Sequence, residues 1–181
     1  MLNTPRRIAA ALLVATATLA GCSSPKTATD AEPDAPPPAI QAWMDRLTVD
    51  HEYDPETGFI VARETVALPS LIEDVPPLDA AIETAGSERI VIAFATADRC
   101  APCQQYKRDA LNDPAVLERL ADTRFLPTHV EVDRQPELAD AYLGGRAIPM
   151  TYALRNGERI GELRGQRSAA ELLAWLNDLP L

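Results

Sequence analysis

The chain has 181 residues, 46% of them hydrophobic, and a formal net charge of −10 at pH 7. That acidity argues against a nucleic-acid binder, which needs clustered Lys and Arg, and against electrostatic adsorption to anionic lipid. The stretch from Ile40 onward, about 140 residues, is enough for one domain with a real core.

The N-terminus reads as an export signal. Arg6 and Arg7 supply a positive start, and residues 8–17 form an apolar run too short to span a bilayer. The run ends in Leu19-Ala20-Gly21-Cys22, which resembles the lipobox of bacterial lipoproteins. That resemblance implies cleavage before Cys22 and a diacylglycerol on its sulfur; the alternative is an ordinary signal peptide with a chance cysteine. Residues 1–21 are therefore expected to be removed. Residues 22–38, rich in Ser, Thr, Ala, Asp and Pro and ending in Pro36-Pro37-Pro38, are expected to form an extended tether, because they hold too little apolar surface to offset the entropy of ordering. The expected location is the bacterial cell envelope, lipid-anchored and facing the periplasm or the cell exterior, where disulfides persist. Which membrane holds the anchor stays open.

Residues 39–75 read as an irregular extension without evident chemistry. They offer a short amphipathic piece at 40–47, a turn at Asp54-Pro55-Glu56-Thr57-Gly58, and an imperfectly alternating strand at 59–68. His51, Glu52 and Asp54 read as a solvated polar turn rather than a metal cluster. From residue 76 the punctuation sharpens. A helix is expected over 77–85 with Gly86 as its C-terminal cap. The unbroken Ile90-Val91-Ile92-Ala93-Phe94 then predicts a strand buried on both faces over 89–96.

Cys100-Ala101-Pro102-Cys103 follows that strand and opens a helix expected to reach Leu111. The thiolate is the nucleophile, and the amides and dipole of a helix N-terminus lower the first cysteine's pKa below the free value of about 8.5. Pro102 fits the first turn, where its missing N–H costs nothing. Cys103 is spaced to close a disulfide with Cys100, so the pair reads as a reversible dithiol. Two other readings stand beside it. Half a zinc site would need two more ligands, yet His51 and His129 are isolated and the third cysteine is Cys22. A static bridge over so short a loop would stabilise little.

Beyond the dithiol, Asn112-Asp113-Pro114 restarts a helix through Ala121, with Asp113 as cap. A second buried strand is expected at 124–132 and a helix at 136–143. Strands at 151–154 and 159–163 flank Arg155-Asn156-Gly157-Glu158, a strong hairpin signal. The last helix, 168–179, begins with a capping box of Ser168 and Glu171 and carries an apolar stripe of Leu172, Trp175, Leu176 and Leu179. The order βαβα then ββα predicts an α/β fold, a mixed sheet with helices on both faces.

That order, with the dithiol after the first buried strand, resembles the thioredoxin family over about residues 76–181. Four linked features carry the resemblance: Phe94 through Cys103, Val130-Glu131-Val132-Asp133, Ile148-Pro149-Met150-Thr151, and Asn156-Gly157. The stretch from Cys103 to Leu120 is also similar to the C-terminal domain of the membrane thiol:disulfide interchange reductase. The resemblance implies a thioredoxin-like three-layer fold, Cys100 as the attacking and Cys103 as the resolving cysteine, and Pro149 as a cis-proline facing the dithiol. Ile148 and Pro149 would bind the substrate strand; the other reading of Pro149 is a trans residue at a strand edge. The chain departs from the family in three places. Arg99 stands where the family has Trp, Ala93 and Phe94 occupy the position of its buried acid, and Gln104 replaces a basic residue.

The expected function is a membrane-tethered envelope thiol–disulfide oxidoreductase that reduces protein disulfides and needs no cofactor. Its expected partners are disulfide-containing envelope proteins, a membrane thiol electron donor and the membrane itself through the lipid anchor, with no nucleic acid. The alternative is a non-catalytic thioredoxin-like binding module on an envelope lipoprotein. Copper(I) delivery by the two thiolates is a third reading. Oxidase or isomerase flow uses the same steps, so direction stays open.

Overall fold

The computed structural model describes residues 34–180. The export signal and residues 22–33 of the expected tether, Cys22 included, lie outside them; Pro38, the tether's expected last residue, begins a helix. Among the described residues no helix is long and apolar enough to cross a membrane.

In chain order the elements are α1 (Pro38–Met44), β1 (His51–Asp54), β2 (Phe59–Ala62), α2 (Ser70–Glu73), α3 (Leu78–Ala85), β3 (Ile90–Thr96) and α4 (Ala101–Tyr106), which continues as a π-helical turn, Lys107–Leu111. Then follow α5 (Pro114–Leu120), β4 (Phe125–Glu131), α6 (Pro136–Leu138) with its own π-helical turn Ala139–Leu143, β5 (Met150–Arg155), β6 (Glu158–Arg164) and α7 (Ala169–Asp178). The main sheet has the order β4-β3-β5-β6. β3 pairs parallel with β4 and antiparallel with β5, and β5 pairs antiparallel with β6.

β3 is buried at every residue, so both of its faces need cover. Val91, Ala93 and Ala95 pack with Leu78 and Ala81 from α3 and with Ala139 and Leu143 from the π-helical turn after α6. Ile90, Ile92 and Phe94 pack with Tyr106, Val116, Leu120, Leu172 and Leu176 from α4, α5 and α7. Burial on both sides explains the unbroken apolar run, because neither face of a central strand meets water. Pro127 lies in β4, an edge strand, where its missing donor faces no partner. The fold is the mixed α/β sandwich of three layers that the pattern predicts.

Local signals account for the element ends. Asp113 Oδ1 accepts from the N–H groups of Ala115 and Val116 at the start of α5. Ser168 and Glu171 form a reciprocal capping box on α7. Asn156 (φ 53°) and Gly157 (φ 78°) both take left-handed backbone in the β5–β6 turn, the geometry that a two-residue hairpin demands.

The extension differs from the sequence reading. Residues 39–75 are not irregular: they contain α1, the β1–β2 hairpin and α2. His51, Glu52 and Asp54 belong to β1, paired in register with β2 from His51↔Ala62 to Asp54↔Phe59, rather than to a polar turn. The strand expected over 59–68 stops at Ala62. There the chain leaves its hairpin to bond the dithiol segment: Ala62 N–H donates to the Arg99 carbonyl (2.8 Å) and Val66 N–H to Gln104 Oε1 (2.7 Å).

Candidate active site

β3 ends at Thr96 and delivers the chain through Ala97-Asp98-Arg99 to Cys100, the N-cap of α4. The Cys100 sulfur accepts from Cys103 N–H at 3.2 Å, and the Cys100 carbonyl accepts from Cys103 and Gln104 N–H at 3.0 and 3.1 Å. Pro102 lies in the first turn, where no intrahelical donor is lost. Cys100 and Cys103 are joined as a disulfide with Cα atoms 5.2 Å apart. Cys100 is 8% exposed and Cys103 fully buried. Of the pair, Cys100 is therefore the sulfur that an incoming reagent meets first.

The Ile148–Pro149 peptide is cis. A groove of about 420 Å³ runs between Ile148 and the dithiol, with Cys100 and Pro102 on one side. Arg99, Arg146 and Ala147 also line it, and the extension adds Trp43, Phe59 and Ile60, with Trp43 and Phe59 37% and 55% exposed. Three of the residues singled out from sequence, Cys100, Cys103 and Ile148, pack in one cluster, and the cis Pro149 follows Ile148 directly. Cys22 lies outside the described residues.

Two buried glutamines directly after the dithiol fasten the extension to it. Gln104 Nε2 donates to the carbonyls of Ala97 and Asp98, while its Oε1 accepts from Val66. Gln105 Oε1 accepts from the N–H groups of Thr48 and Val49, and its Nε2 donates to Thr48 Oγ1 and Asp109 Oδ2. Leu47, Val49 and Ile60 close over Ala101 as a small apolar cluster, and Val61 bridges Cys100 in antiparallel fashion. Gln104 is thus a structural clamp, which is why a solvated basic residue does not suit this position. Sequence reasoning missed Trp43, Phe59 and Gln105; the available signal was two adjacent amides on an otherwise core-facing helix start.

The charges around the site are mostly paired. Arg99 holds Asp133 through two hydrogen bonds of 2.7 and 3.1 Å and stacks over Phe59, 5.5 Å from the ring centroid. The Arg99 bond keeps the Asp133 carboxyl below the ordinary range. Asp98 pairs with Arg134 and, at 3.6 Å, with the buried Lys107. On β4, His129 bonds Thr96 Oγ1 (2.7 Å) and Glu73 Oε2 (3.0 Å); burial first, then the nearby Lys107 charge, pulls its pKa down. Glu131 is 7% exposed and its Oε2 has no hydrogen-bond partner. Burial first, then Asp98 and Asp133, pushes its carboxyl up. It lines a crevice of about 220 Å³ with His129 and Arg134.

On β3, Ala93 faces the dithiol-bearing cluster and Phe94 the opposite one, so that strand contributes no carboxylate. His51 is engaged with its neighbour's backbone, its Nδ1 2.7 Å from the Val49 carbonyl oxygen. Among the described residues no three His, Cys, Asp or Glu side chains are grouped to hold a metal ion. What the dithiol groove can do chemically is accept a disulfide sulfur at Cys100 and exchange it internally with Cys103.

A family model described as a thioredoxin-like domain matches residues 78–180. Among solved structures, a thioredoxin from Thermus thermophilus is 31% identical over 59% of this chain and 85% of its own, with a TM-score of 0.49. A thioredoxin from Malassezia sympodialis is 24% identical over 57% and 88%, with a TM-score of 0.44. One from Fasciola hepatica is 20% identical over 55% and 88%, with a TM-score of 0.45. A search of curated proteins gave no match.

Proposed function

The chain belongs to the thioredoxin-like family, and from that premise we propose that it is a membrane-tethered thiol–disulfide oxidoreductase of the bacterial envelope that reduces protein disulfides. The observation that carries the reading is the Cys100–Cys103 disulfide at the start of α4, with Cys100 alone reaching the groove beneath Ile148.

In the reducing direction, Cys100 thiolate attacks one sulfur of a substrate disulfide. The substrate S–S bond breaks, a mixed disulfide forms, and the first substrate sulfur leaves as a thiolate. Cys103 thiolate then attacks the Cys100 sulfur, the mixed disulfide breaks, and the second substrate sulfur leaves. Two electrons pass to the substrate and Cys100–Cys103 ends oxidised; a membrane thiol donor resets it. The Cys103 N–H that points at the Cys100 sulfur stabilises the thiolate of the attacking residue. Ile148 lines the groove and the cis Pro149 follows it; in this reading the substrate segment lies against them, and Trp43 and Phe59 favour apolar residues beside its cysteine.

The assay is reduction of insulin disulfides with dithiothreitol, comparing the intact protein with Cys100→Ser. Loss of turnover in the variant is expected; equal rates would refute the enzyme and favour a binding module with a static bridge. Cys103→Ala is expected to accumulate covalent mixed disulfides, whose partners name the substrates. The anchor at Cys22 is tested by palmitate labelling, which Cys22→Ala should abolish; unchanged labelling refutes it.

A further inference from the structure

We infer that Lys107 is a positioning residue for the resolving step, its buried ammonium holding down the pKa of Cys103 from one helical turn away. The inference rests on the oxidoreductase reading above. To resolve a mixed disulfide, Cys103 must lose its Sγ–H proton to solvent. Its thiolate then forms the Cys100–Cys103 bond while the Cys100–substrate bond breaks and the substrate thiolate departs and takes up a proton. Cys103 is fully buried, and burial by itself raises a thiol's pKa. Some positive group has to offset that cost.

The cations around the dithiol narrow to one. Arg99 is half-exposed and committed to Asp133. Arg134 is exposed and pairs with Asp98, and Arg146, which lines the groove with Cys100, is exposed and pairs with Asp140. β3, which precedes the dithiol, holds no ionisable residue. Lys107 is 3% exposed. Composition singles it out as well: the chain uses Arg at fifteen positions and Lys at two, Lys26 and Lys107. An ammonium is a compact point charge on a flexible stem, able to reach Asp98 along a packed helix face.

Position i+4 puts Lys107 on the same helix face as Cys103, and its backbone N–H donates to the Cys103 carbonyl. Side chains on a helix lean toward the N-terminus, over the preceding turn. Here the direction is fixed at its far end, because Nζ lies 3.6 Å from Oδ1 of Asp98, just ahead of Cys100. The stem therefore runs from position 107 back along the face that carries Cys103. Asp98 is an incomplete counter-ion: it is 43% exposed and shared with Arg134. The other titratable groups nearby are His129 and Glu131 on β4, with Glu73 of α2 bonded to His129. The depressed His129 pKa, to which Lys107 contributes, supports a field reaching across this end of the sheet.

The test titrates Cys103 itself in the full-length protein. In a Cys100→Ser background, iodoacetamide alkylation of the Cys103 peptide is followed by mass spectrometry as a function of pH. Lys107→Met and Lys107→Gln are expected to raise the alkylation midpoint by about one pH unit, the size of shift that one nearby charge produces at a buried site. Lys107→Arg, which keeps the charge, is expected to hold it. An unchanged midpoint in either folded charge-removing variant overturns the inference. So does an equal rise in the Arg variant, since that reports lost packing and not lost charge. Insulin reduction by the parent protein is measured in parallel; failure there strikes the oxidoreductase reading alone, because the midpoint is read without turnover.

Discussion

Gln105 uses both ends of its amide to join the segment after the dithiol to Thr48 and Val49 in the extension. Gln105→Ala would leave the Val49 N–H buried without a partner, and an unmet buried donor costs about 1–3 kcal/mol. Unfolding in urea is expected to show a free energy lowered by that amount, seen as a lower midpoint with an unchanged slope. Glu131 makes the opposite case. Its carboxyl is buried with one oxygen unpartnered, and its folded pKa lies above the ordinary 4.5. Between that value and its raised folded pKa the native state binds more protons than the unfolded chain, so stability falls as pH rises through the window. Glu131→Gln is therefore expected to stabilise at pH 7, by about 1 kcal/mol for a relieved buried charge. The gain should shrink as pH falls toward 4.5, and urea melts at several pH values check it. Equal gains at both ends would mean that the carboxylate is solvated. Neither role shows in the sequence, because a lone Gln or Glu takes its meaning from what packs around it.

At the scale of elements, the β1–β2 hairpin is more than a cover. Phe59, next to the hairpin turn, stays more than half exposed beside Arg99 and lines the groove. Phe59→Ser is expected to raise KM about fivefold for peptide disulfides with an apolar residue next to cysteine, since losing part of a phenyl contact removes about 1 kcal/mol. kcat should hold, and the insulin assay run on apolar and polar peptide substrates separates the two. An equal KM change for both substrate kinds would remove Phe59 from substrate choice. The helices were legible from short signals: Asp113 and Ser168 cap where the sequence places them. The sequence signal for the hairpin was weaker. Four-residue strands of mixed polarity carry little periodicity, and their pairing is decided by what lies beneath them.

At the scale of the whole molecule, the family match begins at residue 78, yet the packing does not. Ile72 is fully buried in the core under α4 and α7, and Leu47, Val49 and Ile60 close over Ala101. A truncation starting at residue 76 is expected to lose more than about 3 kcal/mol, since single buried aliphatic side chains are worth 2–5 kcal/mol each. It should also expose Cys100, which Val61 bridges; faster alkylation of reduced Cys100 checks this, and a truncation as stable as the parent refutes it. The alternation of strands and helices, the mixed sheet and the dithiol at the head of α4 were legible in the chain alone, because burial on both faces, caps, the Asn-Gly turn and the cysteine spacing are local patterns that act wherever they occur. That residues 39–75 wall the groove, that Gln104 and Gln105 hold them there, and that Lys107 is buried next to the dithiol came from the packed chain. The glutamine clamps depend on contacts between residues 38 to 57 positions apart, and no local pattern encodes which distant backbone will meet a given amide.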